Sequence, residues 1–115
     1  MQQLIRISPE VAAALEAGSP VVALETTLVA HGFPAPAGIE VGLASEAAVR
    51  AAGAIPATVG VLDGTIAIGL EAAELERFTP DARKLGPRDL AACAVAGDVG
   101  ATTVGGVLVI ARQLG

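Results

Sequence analysis

The stretch IPATVGVLDGTIAIGL, residues 55–70, predicts the centre of the fold. Two runs rich in valine and isoleucine flank the pair Asp63 and Gly64, and both residues of that pair tolerate the positive φ of a two-residue hairpin turn. The stretch therefore predicts two adjacent antiparallel strands joined by a tight turn.

A further strand is predicted before the hairpin, at PVVAL, residues 20–24. A short continuous apolar run rich in valine is typical of a strand that is buried on both faces. The segment TTLVAHGFPAPAG that follows, residues 26–38, is predicted to be a loop, because it mixes hydroxyl residues with glycine and proline.

Two helices are predicted around this strand. In SPEVAAALEAGSP, residues 8–20, Ser8 is placed to cap the helix, Pro9 to begin it and Gly18 to end it. The second helix is IEVGLASEAAVRAAG, residues 39–53, whose apolar residues recur every four positions from Ile39. That spacing places Ile39, Leu43, Ala47 and Ala51 on the buried face, with Glu40 and Glu46 on other faces.

The remainder of the chain is predicted to be mostly helical. EAAELERF, residues 71–78, has the pattern of a short amphipathic helix, and a helix is predicted from about Pro87 or Arg88. The last apolar element is either a helix that starts near Thr102 or a strand at VLVIA, residues 107–111, because Gly105 and Gly106 weaken the helical pattern.

The composition limits the class of protein. The chain has 115 residues, enough for one small domain, and 53% of them are hydrophobic with a mean hydropathy of +0.66. Aromatic residues make up 2% and the net charge is −5, so a nucleic-acid partner is not expected. The longest charge-free apolar tract is shorter than the ~20 residues of a membrane-spanning helix, and Cys93 is the only cysteine. No membrane partner and a cytoplasmic location are therefore expected.

The predicted strands are few for so apolar a chain. Helices this hydrophobic should cover a larger sheet than two or three strands provide. We therefore expect an α/β fold, an incomplete three-layer α/β/α domain in which residues 1–115 form the N-terminal portion of a single larger domain.

Two residues after the first predicted strand are candidates for acid–base chemistry. Glu25 follows directly on PVVAL, and ligands of open α/β sheets bind beyond the carboxyl ends of the strands. A capping or salt-bridging role is the alternative for Glu25. His31 is the only histidine, and with no second ligand at metal spacing it is more typical of a structural hydrogen-bonding residue.

Cations and hydroxyls further along the chain are candidates for phosphate binding. Lys84 is the only lysine, and with Arg83 and Arg88 it forms the one basic cluster. In VGATTVGG, residues 99–106, Thr102 and Thr103 precede an apolar element whose backbone N–H groups would suit an anion. A solvated loop and a tightly packed helix entry are the respective alternatives.

Four of these segments together resemble the pseudouridine-5′-phosphate glycosidases. ALETTLVAHGFP, GAIPATVGVLDGTIAIGL, KLGPRDL and GATTVGG occur here in the family's order. They are similar to the family forms A-L-E-[ST]-T with H-G-[MFL]-P, G-A-x-P-A-T with D-G and G-L, K-x-x-x-R-D-L and G-A-T-T-V. The resemblance extends from Val21 onward, and since the family's enzymes are roughly three times longer, it identifies this chain with their N-terminal part.

The resemblance implies a reversible cleavage of the C–C glycosidic bond of pseudouridine 5′-phosphate to uracil and ribose 5-phosphate. It places the proton donor at Glu25 and substrate contacts at Lys84 and Val104. It also implies an α/β/α fold, a homotrimer, a small phosphorylated nucleoside as substrate, and a divalent metal, manganese. The lysine that attacks C1′ of the ribose and the metal ligand belong to later parts of the family sequence, so this chain is expected to hold no metal ligand and to be inactive alone.

One departure from the family pattern affects the phosphate contacts. This chain has Gly86 and Pro87 where many relatives have serine and arginine inside K-x-x-x-R-D-L. One cation of the motif is therefore missing. A non-catalytic phosphate- or nucleotide-binding α/β module built on Lys84, Arg88 and GATTVGG is the alternative function, and a segment without an autonomous fold is a third interpretation.

Overall fold

The computed structural model describes residues 5–34 and 36–114. Met1–Leu4, Ala35 of the predicted loop, and Gly115 lie outside the described residues. The strands are β1 (Ile5–Ile7), β2 (Val21–Leu24), β3 (Ile55–Leu62), β4 (Thr65–Ile68), β5 (Arg83–Leu85) and β6 (Gly100–Thr102). The helices are α1 (Pro9–Ala17), α2 (Thr27–His31), α3 (Ala37–Ala51), α4 (Ala72–Leu75), α5 (Leu90–Ala96) and α6 (Val104–Leu114).

All six strands belong to one mixed sheet with β3 near its centre. The order is β1-β4-β3-β6-β5, and β2 also pairs with β3. β3 is antiparallel to β4 and β6 and parallel to β2, whereas β1 pairs with β4 and β5 with β6 in parallel. The predicted α/β class is confirmed, and the sheet is larger than the sequence patterns alone indicated.

The hairpin prediction is confirmed. β3 and β4 pair from Val59↔Ile68 to Leu62↔Thr65, and the two turn residues Asp63 and Gly64 have φ values of 48° and 83°. Arg77 donates to both carboxylate oxygens of Asp63, at 2.7 and 2.8 Å, and thereby fixes the turn. This hydrogen bonding also lowers the pKa of Asp63.

The first helix is also confirmed with its predicted ends. The Ser8 side chain accepts from the N–H of Val11 at 3.2 Å, Pro9 is the first helical residue, and Gly18 adopts a left-handed φ of 72°. The final apolar element is the helix α6 rather than a strand at residues 107–111, so that alternative is wrong.

Helices cover both faces of the sheet, which gives the expected three layers. Alternate residues of β3 point to opposite sides. Val59 and Val61 pack in a core with residues of α1, α5 and α6, while Leu62 packs in a second core with residues of α2 and α4. Each core is apolar and centred on β3, so this strand supports both layers.

The segment after β2 was wrongly predicted as a loop throughout. Residues Thr27–His31 form α2, which begins directly after Thr26. The proline- and glycine-rich composition described only the end of the segment. Strands β1, β5 and β6 were missed because three-residue strands carry too short a pattern to detect.

β2 differs from the prediction that it is buried on both faces. Its residues are half-buried, and the side chain of Val22 is 41% exposed. Among the described strands it pairs with β3 alone, so its second edge is open there. The apolar run was correctly assigned to a strand, but an apolar run by itself does not ensure burial on both faces.

The buried face of α3 was also misassigned. The buried residues are Gly38 and Gly42, whereas Leu43, Ala47 and Ala51 are exposed. A Cβ at Gly38 would collide with the carbonyl oxygen of Val29, and one at Gly42 would lie 2.8 Å from Val29 Cγ2. Glycines thus form the contact face because α2 approaches α3 too closely for larger side chains.

Among the described residues no helix has both the length and the apolar character needed to cross a membrane.

Candidate active site

Two strands of the sheet end head to head on the same edge of β3. β2 runs parallel to the first half of β3, up to Leu24↔Thr58, and β6 runs antiparallel to the second half, at Gly60↔Ala101 and Val61↔Gly100. Their carboxyl ends therefore meet beside Val59. Polar residues that follow either strand are brought together at this point, where open α/β sheets place their ligands.

A buried pair of threonines joins the two strand ends. The hydroxyls of Thr26 and Thr102 both donate to the carbonyl oxygen of Val59, at 2.8 and 2.7 Å. The backbone N–H of each threonine donates to the hydroxyl of the other, at 3.3 Å from Thr26 and 2.8 Å from Thr102. Both residues are fully buried. We call Thr26, Thr102 and the Val59 carbonyl the threonine junction.

The junction takes the place of the next backbone hydrogen bond in two ladders, that of β2 with β3 and that of β6 with β3. If the β2 ladder continued, the N–H of Thr26 would donate to the carbonyl of Val59. If the β6 ladder continued, the N–H of Thr102 would donate to the same carbonyl. One carbonyl cannot be reached by both backbones, so each hydroxyl takes the place of an N–H. Every buried polar group of the junction is thereby satisfied, which avoids a penalty of about 1–3 kcal/mol per unpaired group.

The neighbouring threonines connect the junction to α2, β5 and α6. Thr27 donates its hydroxyl to the carbonyl of Thr102 at 2.8 Å. The hydroxyl and the N–H of Thr103 each donate to the carbonyl of Leu85 at 3.0 Å, and the N–H of Gly106 donates to the Thr103 hydroxyl at 3.3 Å. The carboxyl ends of β2, β5 and β6 are therefore held in one hydrogen-bonded unit.

Glu25 lies between β2 and the threonine junction. Glu25 is half-buried and lines a small pocket of about 50 Å³. The other lining residues are Leu24, Leu28, Gly42, Ser45 and Thr58. A carboxyl in a mostly apolar pocket with hydroxyl neighbours can hold or give a proton to a bound molecule.

A hydrogen bond that was not predicted from the sequence joins the wall of this pocket to α3. Thr58, which is 3% exposed, donates its hydroxyl to the carboxylate of Glu46 at 2.6 Å. Glu46 was expected on a different face of α3 from the predicted buried one, but it is half-buried and faces β3, because Gly38 and Gly42 form the contact face. The alternation of side chains along β3 could have predicted this contact. Thr58 lies on the same face of the strand as Gly60 and Leu62, and that face is turned toward α3.

Lys84 lies on β5, opposite Ala101 in the β5–β6 register. Its side chain is exposed and belongs to no ion pair among residues 5–34 and 36–114. Arg83, the neighbour in the predicted basic cluster, instead contacts Asp98 at 3.2 Å. Because adjacent strand residues point to opposite faces, Lys84 and Arg83 do not form one cluster.

The remaining predicted site residues lie on three different elements. Val104 is the first residue of that helix and is 63% exposed. Arg88 lies in the 3-10 turn Pro87–Asp89, which packs against α6. His31 is the exposed last residue of α2. The structure therefore groups Glu25, Thr102, Thr103 and Val104 at the strand ends, with Lys84 one strand away.

Cys93 takes no part in this arrangement. It is a buried residue of α5, and its thiol donates to the carbonyl of Asp98 at 3.7 Å. Burial raises the pKa of the thiol, so it stays protonated at neutral pH and serves packing.

Comparison with known proteins gives the family. The family described as "Indigoidine synthase A like protein" matches residues 10–115. The chain belongs to this family. It is 52% identical, over 116 aligned residues, to the pseudouridine-5′-phosphate glycosidase of Rhodospirillum centenum, an alignment that covers 100% of this chain and 36% of that protein.

Solved structures of the family have the same fold. The prealnumycin C-glycosynthase AlnA, in complex with ribulose 5-phosphate, superposes with a TM-score of 0.83 at 39% identity and covers 97% of this chain. An indigoidine synthase A-like protein from Thermotoga maritima superposes with a TM-score of 0.84 at 30% identity and covers 99%. This chain spans about 36% and 37% of the lengths of those two chains.

The described residues do not form a metal centre by themselves. Within residues 5–34 and 36–114 no group of three or more histidine, cysteine, aspartate or glutamate side chains is arranged to hold an ion. These residues therefore do not fit a manganese ion without further ligands, and no chemical step is assigned to it.

Proposed function

We propose that this chain is the N-terminal third of an enzyme that reversibly cleaves the C–C glycosidic bond of pseudouridine 5′-phosphate to uracil and ribose 5-phosphate. The observation that carries the proposal is the position of Glu25, beside the threonine junction where three strands end. The 52% identity to a glycosidase of that name supports the choice of reaction.

Glu25 is the proposed proton donor. Glu25 lines a pocket whose other side chains are apolar apart from two hydroxyls, and an acid in such a pocket can protonate the departing base or the opening sugar ring. The threonine junction fixes the backbone on its carboxyl side through Thr26. A carboxyl on an anchored backbone can deliver its proton to one defined atom.

Lys84 and Val104 are the proposed contacts to the phosphorylated sugar. Lys84 offers an exposed ammonium, and Val104 offers the first-turn backbone of α6, whose positive end favours an anion. The ribulose 5-phosphate in complex with AlnA supports a sugar phosphate as ligand. The hydroxyl of Thr102 is fully hydrogen-bonded within the junction, and that of Thr103 donates to the carbonyl of Leu85. Their side chains are therefore proposed to position the strand ends and not to contact the substrate.

Arg88 and His31 are further proposed contributors, and both are exposed. The lysine that would form an imine with C1′, and the ligands for manganese, are proposed to lie in the part of the family sequence that this chain does not span. A homotrimeric assembly and a cytoplasmic location complete the proposal.

The direct test is an assay of uracil release from pseudouridine 5′-phosphate. A polypeptide in which this chain is followed by the part of the R. centenum relative that lies beyond the matched region should release uracil. The 115-residue chain alone should not. In the active protein, Glu25→Gln should lower kcat by about 10²-fold or more with little change in KM, because the amide cannot supply the proton. Glu40→Gln, an exposed substitution on α3, is the matched control.

Two results would contradict this assignment. Uracil release by the isolated chain would show that the further lysine and metal ligands are not needed. Turnover of the Glu25→Gln variant at the rate of the Glu40→Gln control would remove Glu25 from the mechanism.

A phosphate-binding module without catalysis is the second candidate. It is favoured by Lys84, which has no ion-pair partner among the described residues. Isothermal titration of the isolated chain with ribose 5-phosphate, and separately with a free nucleotide, distinguishes the two. Micromolar or tighter binding by the chain alone favours the module, whereas no binding favours the enzyme segment.

A further inference from the structure

The sheet face that carries α1 and α6 has an open apolar groove above β2. The groove lies between the two helices and encloses about 200 Å³. Leu15 of α1 and Leu114 of α6 contribute to its walls, while Val21 and Ala23 of β2 contribute to its floor. Leu15 is 39% exposed, so apolar surface faces solvent here instead of a covering element.

The same strand has an unpaired edge. The N–H of Ile55 donates to the carbonyl of Pro20 at 2.9 Å, which directs the backbone groups of Pro20 and Val22 toward β3. Because these groups alternate along a strand, those of Val21 and Ala23 point away from β3. β2 therefore presents free donors and acceptors beside the groove.

The other two outer strands are protected by charge. β1 carries Arg6, whose guanidinium contacts Glu74 at 2.7 Å, and β5 carries the exposed Arg83 and Lys84. Charged side chains on an edge strand discourage pairing with another strand. β2 has no charged residue, so among the described strands it combines an uncharged edge with an adjoining apolar groove.

We propose that this surface binds the part of the family fold that the chain does not contain, with one of its strands pairing along β2 and its apolar side chains filling the groove. We call Leu15, Val21–Leu24 and Leu114 the β2 docking surface. The chain spans 36% of its R. centenum relative, so most of the length of that relative lies outside the matched part and is available as the occupant. The same surface serves whether that partner is joined to this chain or is a separate polypeptide.

The docking itself is independent of the reaction, but its effect on catalysis rests on the proposed function of Glu25. β2 leads directly into Glu25, so a body paired along β2 lies next to the proposed proton donor. Residues that the reaction requires from the remainder of the family sequence would then reach the pocket of Glu25 from this side.

The test is co-purification of the 115-residue chain with the co-expressed remainder of the R. centenum relative, beginning after its matched region. A one-to-one complex is expected by light scattering, with slower amide exchange at Val21 and Ala23. Leu15→Lys should lower the recovered complex at least about tenfold, because it places an ammonium in the apolar interface. Val95→Lys, at a more exposed apolar residue near the end of α5 and outside the groove, is the control for an added ammonium.

Ala23→Pro provides an independent test of the strand pairing. It removes an N–H that points away from β3 and so leaves the β2–β3 ladder intact, but it blocks a strand on the open edge. Circular dichroism of each variant reports whether the chain remains folded. The recovered complex should again fall at least about tenfold.

Four outcomes would overturn the docking proposal. The first two are the absence of a complex for the unsubstituted chain and its variants alike, and recovery of Leu15→Lys and Ala23→Pro equal to that of Val95→Lys. The other two are protection from amide exchange at β1 or β5 instead of β2, and a dimer of the chain through β2. The reaction is judged separately. A complex that is lost in both variants but releases no uracil supports docking and contradicts the glycosidase, whereas uracil release unaffected by both variants supports the glycosidase and overturns docking.

Discussion

β2 and β6 lie on the same edge of β3, yet their environments differ. β6, Gly-Ala-Thr, is buried at every residue between β3 and β5. β2, Val-Val-Ala-Leu, is more apolar and is only half-buried beside a single neighbour. The comparison shows that burial of a strand follows from the strands and helices that flank it, and that hydrophobicity alone does not determine it. It also divides the molecule into a completed side, at β5 and β6, and an open side, at β2.

The largest expected effect tests that division directly. Leu85→Ala on β5 removes a fully buried side chain from the completed side and should lower the free energy of unfolding by about 2–5 kcal/mol. Val22→Ala on the open side should lower it by less than about 1 kcal/mol. Chemical denaturation of both variants measures the difference, and equal losses would remove the distinction between the two sides.

The threonine junction, where the two sides meet, should give the next largest effect. Thr102→Val leaves the N–H of Thr26 without its partner and takes one donor from Val59, so a loss of about 1–3 kcal/mol is expected. Thr26→Val should cost a similar amount for the reciprocal reason.

The double variant sharpens this point. Because each threonine hydroxyl accepts the other's N–H, the two substitutions disrupt a shared network and should not be additive. Denaturation of Thr26→Val, Thr102→Val and the combined variant gives the coupling free energy. A coupling near zero would mean that the strand ends are held independently.

A smaller effect is expected on the α3 side of β3. Thr58→Val removes the hydroxyl that donates to Glu46 at 2.6 Å. Since Glu46 is half-buried and regains hydrogen bonds from water, the expected loss is about 1 kcal/mol. Ser45→Ala, which removes a hydroxyl bonded within α3, is the control. A loss no greater than that of the control would show that the Thr58–Glu46 bond does not stabilise the packing of α3.

The smallest effect is expected from an exposed ion pair between α1 and α3. Arg50 donates to both carboxylate oxygens of Glu10, at 2.6 and 2.9 Å, and this hydrogen bonding lowers the pKa of Glu10. Stability from a carboxylate with a lowered pKa is present above its ordinary value, about 4.3, and is lost as the pH falls through the lowered value.

Glu10→Gln should therefore destabilise the chain slightly at neutral pH and flatten its loss of stability in acid. Urea midpoints of both proteins between pH 3 and pH 7 provide the measurement. An unchanged pH profile would show that this pair contributes nothing to holding the two helices around the open side.

The elements with strong local signals could be predicted from the sequence. Asp63 and Gly64 encode the hairpin by their backbone preferences, and Ser8, Pro9 and Gly18 encode the ends of α1. Burial could not be predicted in the same way. Val22 has the side chain of a core residue, yet it is 41% exposed because no described strand pairs with the second edge of β2.

The candidate site was predicted in part for the same reason. Glu25 was found because it directly follows a recognisable strand. The junction of Thr26 with Thr102 was not found, because it joins residues 76 positions apart across two strands of which one was invisible to pattern analysis. Glu46 was misplaced because the face of α3 is set by the absence of side chains at Gly38 and Gly42, which a search for apolar residues overlooks.

The head-to-head arrangement on β3 fixes the lengths of two distant segments together. β3 has eight residues, of which Ile55–Thr58 pair with β2 and Gly60 and Val61 pair with β6. Val59 alone separates the two sets. A residue inserted into either β2 or β6 would have no place on this edge, whereas the surface loops can lengthen freely. Among homologous sequences, insertions and deletions should therefore be absent from both strands and common in the segments that connect them.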